Sequence, residues 1–136
     1  MLAERRRALE AVAAYLRCPV CADPVRVGDD QVTCARGHGF NIARQGYVSL
    51  TSGRGGPGTG DSASMVMARD RFLGGGRYRP IAEAVGALAA RSDRGGAGLV
   101  LDLAGGTGYY LALVLDALDA RLGACVDLSA PALRRA

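Results

Sequence analysis

The spacing of apolar side chains changes along the chain, and each change predicts a different kind of element. Leu2, Leu9, Val12, Ala13 and Leu16 fall on one helical face, which predicts a short amphipathic helix over residues 1–16. From Arg17 to about Leu50 the runs shorten and alternate, as in Val25-Arg26-Val27 and Gln31-Val32-Thr33. These predict small strands around tight turns. Thr51 to Gly60 is rich in Gly, Ser and Thr with Pro57, and reads as a flexible link. A helix is then expected from Asp61 or Ser62, both good N-caps, to Leu73, with Met65, Ala68 and Phe72 on one face. Gly74-Gly75-Gly76 stops it, and Ile81 to Arg91, just after Pro80, predicts a second helix.

From Leu99 the rhythm changes again. Leu99-Val100-Leu101-Asp102-Leu103 is a buried-strand run, followed at once by Ala104-Gly105-Gly106-Thr107-Gly108. Tyr109 to Asp119 is helical, Gly123 to Asp127 is a second strand, and another helix starts at Ser129. Strand, helix and strand in this order open a parallel α/β sheet. Four zones follow: a helical extension (1–16), a ribbon (17–50), a link with helices (51–94), and the start of an α/β domain (95–136).

Hydrophobic residues make up 49% of the chain, enough for a core, which argues against wholesale disorder. All 17 basic residues are arginine, and the net charge is +4. Arginine's planar fork suits phosphate, but so modest a charge permits nucleic acid rather than demanding it. No apolar run approaches the roughly 18 residues of a membrane span. The opening segment, with Arg5–Arg7 and no uninterrupted apolar core, does not read as a signal peptide. Without export signals, the four cysteines point to metal or free thiols over disulfides, and a cytoplasmic location is expected.

Cys18, Cys21, Cys34 and His38 have the spacing C-x2-C-x12-C-x3-H. Two cysteines two residues apart grip one ion from a tight turn, and a second pair across a hairpin completes a tetrahedron. Thiolates and imidazole suit Zn²⁺. A ribbon of about 35 residues has little core, so the metal is expected to supply most of its folding free energy. With four protein ligands there is no open position, so the site reads as structural. A thioredoxin-like redox pair is the weaker alternative, because Cys18–Cys21 lacks a βαβ context. Cys125 reads as an ordinary buried thiol.

Gly105, Gly106 and Gly108 let a ligand lie against bare backbone between strand and helix. The loop lacks the Lys-Ser/Thr ending of a phosphate loop, and departs from G-x-G-x-x-G. Asp127 ends the next strand, where a carboxylate can accept from both hydroxyls of a ribose. Together they point to an adenosine-containing cofactor. The alternative is a tight structural turn with Asp127 as a helix cap.

These residues resemble the zinc-containing 23S rRNA guanine-N1 methyltransferases. The ribbon carries Cys18-Pro19-Val20-Cys21, Cys34 and Gly37-His38-Gly39-Phe40. Then follow Ala43-Arg44-Gln45-Gly46-Tyr47-Val48, Gly60-Asp61-Ser62, Met65, Ala68-Arg69, Phe72-Leu73 and Tyr78-Arg79-Pro80. Leu101-Asp102-Leu103, Gly106-Thr107-Gly108-Tyr109-Tyr110 and Asp127-Leu128-Ser129 complete the series, which runs from Cys18 to about Leu133. The resemblance implies zinc on Cys18, Cys21, Cys34 and His38. It implies S-adenosylmethionine on Tyr78, Gly106 and Thr107, with Asp102, Gly108 and Asp127 in support.

By resemblance, the fold is an N-terminal zinc ribbon followed by the first part of a Rossmann-like S-adenosylmethionine-dependent methyltransferase domain, truncated at residue 136. The implied activity is methylation of a guanine of 23S rRNA at N1, with this chain inactive alone. No catalytic residue is assigned. The implied partners are 23S rRNA and possible completion by a chain supplying the C-terminal half. The alternative is a zinc-ribbon RNA-binding module without catalysis. Between residues 36 and 79, Arg36, Arg44, Arg54, Arg69, Arg71, Arg77 and Arg79 outnumber Asp61 and Asp70, with Tyr47 and Tyr78 among them. Three departures stand out: Ala104 in place of the first loop glycine, Ser64 in place of an acidic residue, and the N-terminal helix.

Overall fold

The computed structural model describes residues 2–51, 60–96, 98–118 and 122–136, so most of the expected link, Arg54 included, lies outside the described residues. The chain divides into two compact units, Met1–Pro57 and Gly58–Ala136.

In the first unit helix α1 (Leu2–Ala13) precedes three short strands: β1 (Val25–Val27), β2 (Gln31–Cys34) and β3 (Gly39–Asn41). The strands form an antiparallel sheet in the order β1-β2-β3, with Val25 opposite Cys34 and Val32 opposite Phe40. Gly28 N–H donates to the Gln31 carbonyl at 2.7 Å, closing the turn between β1 and β2. Strand β3, absent from the sequence reading, is too short to show alternation and exists because β2 offers it an edge. The core is Ala13, Val25, Val32 and Phe40 around Cys18 and Cys34, with Leu9 and Leu16 packed on it. Helix α1 therefore completes the ribbon's core by covering β1.

In the second unit, α2 (Ala63–Gly74) and α3 (Arg79–Ser92) precede β4 (Leu99–Leu103), α4 (Tyr109–Leu118), β5 (Leu122–Val126) and α5 (Ala130–Leu133). Strands β4 and β5 are parallel and in register from Leu99–Leu122 to Leu103–Val126. Helix α4 packs on the strands and on α3. Gly123 makes room for it, because a Cβ there would lie 2.5 Å from Leu115 Cδ1. Leu101, Leu103 and Val126, which share the other face, are exposed.

Ser62 caps α2 as expected, its side chain accepting from Met65 N–H. The face chosen for α2 is corrected: Val66 is buried, while Met65 and Phe72 are about half exposed. Helix α2 packs against α5, a contact that periodicity alone cannot reveal. Helix α3 begins at Arg79 with Pro80 in its first turn, where a missing N–H costs nothing. No helix among the described residues is long and apolar enough to cross a membrane.

Candidate metal centre and glycine loop

The ribbon brings Cys18, Cys21, Cys34 and His38 together, with all four ligand atoms within 4.8 Å of one another. Cys21 Sγ lies 3.7 Å from Cys34 Sγ, and His38 Nδ1 lies 3.6 Å from Cys18 Sγ and 3.3 Å from Cys34 Sγ. A tetrahedron with metal–sulfur bonds of about 2.3 Å and a metal–nitrogen bond of about 2.0 Å has edges of about 3.5–3.8 Å. These separations fit a zinc tetrahedron.

The local backbone explains how the ligands converge. The Cys18–Cys21 turn closes with Ala22 N–H donating to the Cys18 carbonyl at 2.8 Å, and Ala22 takes a left-handed φ of 61°. A non-glycine residue there costs about 1–2 kcal/mol, so the turn's closure around the ligands must offset strain. At the second turn Gly37, with φ 82°, sits there without cost and brings His38 back beside Cys34.

The thiols are arranged to ionise unequally until a cation arrives. Burial works against the Cys18 thiolate, but backbone N–H groups of Val20 and Cys21 outweigh it and lower its pKa. Cys34 follows the same pattern, with amides of His38 and Arg36 opposing burial. At Cys21 the Asp23 amide pulls down, yet burial and the two neighbouring sulfurs push its pKa up to about 11. Three thiolates so close need a shared divalent cation, and zinc fits this donor set.

In the second unit, the loop after β4 gathers Asp102, Gly105, Gly106, Cys125 and Asp127. A Cβ on Gly105 would lie 2.6 Å from Asp102 Oδ2 and 2.7 Å from Cys125 Sγ, so only glycine fits. Gly106 and Gly108 have φ of 60° and 74°, and Gly106 faces open space within 4 Å. Ala104 is also left-handed, at φ 58°, where a glycine would be unstrained. Asp102 Oδ2 is buried and unpartnered, and burial, then the nearby Asp127 charge, raises its pKa.

Asp127 Oδ2 accepts from Gly106 N–H at 2.9 Å, and Oδ1 from Ser129 N–H at 2.7 Å. Asp127 thus ties the glycine loop to the residue before α5, and the helix cap that the structural alternative gave to Asp127 is Ser129 instead, with lone pairs remaining on both Asp127 oxygens. Thr107 lies in the same loop, between Gly106 and Gly108, half-buried. Tyr78 sits one residue before α3, edge-to-face with Phe72 at 5.3 Å. Its neighbour Arg79 pairs with Glu83 at 2.8 Å, which raises the Arg79 pKa.

Sequence reasoning placed a helix start at Ser129 but missed its tie to Asp61. Ser129 is 3% exposed, donates its hydroxyl to the Asp61 carbonyl at 2.7 Å, and caps α5 by accepting from Ala132 N–H. Gly60 packs so closely on it that a Cβ would lie 2.9 Å from the Ser129 backbone. The legible signal was Ser129 one residue before Ala130-Pro131, a helix start.

Residues 16–51 match the zinc-ribbon family described as RlmA, N-terminal. The chain is 45% identical over 139 aligned residues to a protein of Micromonospora griseorubida provisionally named a 23S rRNA (guanine-N(1)-)-methyltransferase, covering 90% of the chain and 47% of that protein. It is 44% identical to a 23S rRNA (guanine(748)-N(1))-methyltransferase of Streptomyces fradiae, covering 92% of the chain and 45% of that protein. The chain thus spans about half the length of the curated relatives it matches. The expected family resemblance and the zinc ribbon are both borne out.

Proposed function

As a relative of the 23S rRNA (guanine-N1)-methyltransferases with an RlmA-type ribbon, this chain, we propose, supplies the RNA-holding and first cofactor-binding elements of such an enzyme. Its substrate is a guanine of 23S rRNA, methylated at N1, and β4-α4-β5 opens a Rossmann-like sheet. The observation carrying the cofactor reading is the buried, unpartnered Asp102 Oδ2 beside a loop whose glycine backbone leaves open space. A buried acceptor without a partner is costly, and a donor on a bound ligand would satisfy it.

S-adenosylmethionine supplies an electrophilic methyl group. The chain's own residues bind and orient it. Gly106 presents bare backbone to open space, and Asp127, held by the Gly106 and Ser129 amides, offers its remaining lone pairs to ribose hydroxyls. Thr107 and Tyr78 complete the proposed contacts. Transfer to guanine N1 also needs removal of that nitrogen's proton and in-line alignment. No residue of this chain is assigned the proton transfer. The ribbon's arginines serve a structured RNA, recognised by shape, phosphates and exposed loop bases.

Calorimetric titration tests the cofactor half: saturable S-adenosylmethionine binding is expected, with loss in Gly106→Leu. Its absence would leave only the RNA-binding module. Tritiated methyl transfer to ribosomal RNA tests the remainder, and no transfer by this chain alone is expected.

A further inference from the structure

Between α1 and the ribbon lies a cleft of about 290 Å³, lined in part by Arg5, Arg6 and Arg44 over Leu9, Val27 and Ile42. That is near the lower end of the roughly 300–1,000 Å³ of small-molecule sites. The larger concavity beside His38 is lined by no arginine. Resting on the RNA reading above, we propose that the α1–ribbon cleft holds an unpaired RNA strand, with Arg44 binding phosphate, Arg5 assisting, and a base lying on the apolar floor.

The three guanidinium groups are not equivalent. Arg6 is committed, pairing with Glu10 at 3.0 Å and Asp29 at 3.1 Å. Arg5 donates Nη1 to the Gln45 carbonyl at 2.8 Å, which anchors it at the cleft while leaving its other donors uncommitted among the described residues. Its aliphatic stem packs where Gly46 lacks a side chain: a Cβ there would lie 3.3 Å from Arg5 Cδ. Arg44 makes no hydrogen bond or ion pair among the described residues.

A planar, unpaired guanidinium beside a pre-anchored one is suited to a phosphate's oxygens. Asp29 shares Arg6 with Glu10, so Asp29 in part and Asp30 in full are the carboxylates opposing an anion. Residues 1–57 carry eight arginines against five acidic residues, so the unit's net charge favours the same partner. The arginines of α1 precede residues 16–51, so this cleft adds to the ribbon proper a wall the ribbon lacks.

The test is fluorescence anisotropy of the zinc-loaded chain with a labelled RNA hairpin bearing an unpaired loop, over a range of salt. Arg44→Ala is expected to weaken binding about tenfold, the loss of one charge-assisted contact, and to lower the salt slope by about 0.7. Asp30→Asn is expected to tighten binding, and a gain of affinity cannot come from misfolding. Arg26→Ala, on β1, is expected to bind as wild type. Unchanged affinity and slope in Arg44→Ala, or an equal loss in Arg26→Ala, overturns the cleft while leaving the RNA reading intact. No RNA binding by the wild-type chain overturns both.

Discussion

At Asp102 a carboxylate is held where water cannot reach one of its oxygens and where Asp127 adds a second negative charge. Both effects favour the protonated form, so the folded-state pKa lies above the ordinary 3.8. The sign follows from linkage. The stabilising contribution of the protonated acid is complete below the unfolded value and is lost as pH rises through the folded one. Asp102→Asn removes that pH dependence. Its thermal midpoint relative to wild type is expected to rise as pH increases above 3.8. A difference flat across this range would show that ionisation at Asp102 carries no penalty. The same variant is expected to bind S-adenosylmethionine less well, because a neutral amide is a weaker acceptor than a carboxylate toward a ligand donor.

Among elements, α1 and the ribbon depend on each other. Leu9 and Leu16 pack on a core that includes Cys18 and Cys34 of the candidate metal centre, so the helix adds apolar burial that three short strands cannot provide. Leu9→Ala in the zinc-loaded chain is expected to cost about 2 kcal/mol, the low end for a large-to-small change because Leu9 is partly buried. Urea unfolding measures it, and an unchanged midpoint would mean the helix rests on the ribbon without supporting it. Element type was largely legible. Strand β4 spans Leu99–Leu103 as its apolar run predicted, and Ser62 caps α2. What escaped was anything decided by a neighbour. β3 needs the edge of β2, α2 meets α5 across the chain, and the Ser129 clamp joins residues 68 positions apart.

For the molecule as a whole, two compact units imply two separate responses to metal removal. Structural zinc is worth about 10–16 kcal/mol of apparent binding free energy in small zinc-finger peptides, more than a ribbon's core can replace. A strong chelator is therefore expected to abolish amide protection in β1–β3 and retain it in β4 and β5. Hydrogen exchange followed by mass spectrometry reads both units in one experiment. Retained protection in β1–β3 would sink the claim that zinc folds the ribbon, and loss throughout would show that the units do not unfold separately.

The sequence by itself determined the ligand set, because four soft donors at C-x2-C-x12-C-x3-H have few other uses. It also determined the strand–glycine loop–helix–strand order, because apolar runs and glycines are local signals. Only the tertiary structure decided that Ala22 and Ala104 bear left-handed strain, that Asp102 is left without a partner, and that α1 and the ribbon enclose a cleft lined by arginines. The strain is set by how each turn closes, and the other two properties arise where segments apart in the chain meet. Periodicity carries no record of them, because it reports which face a side chain shares but not what meets that face.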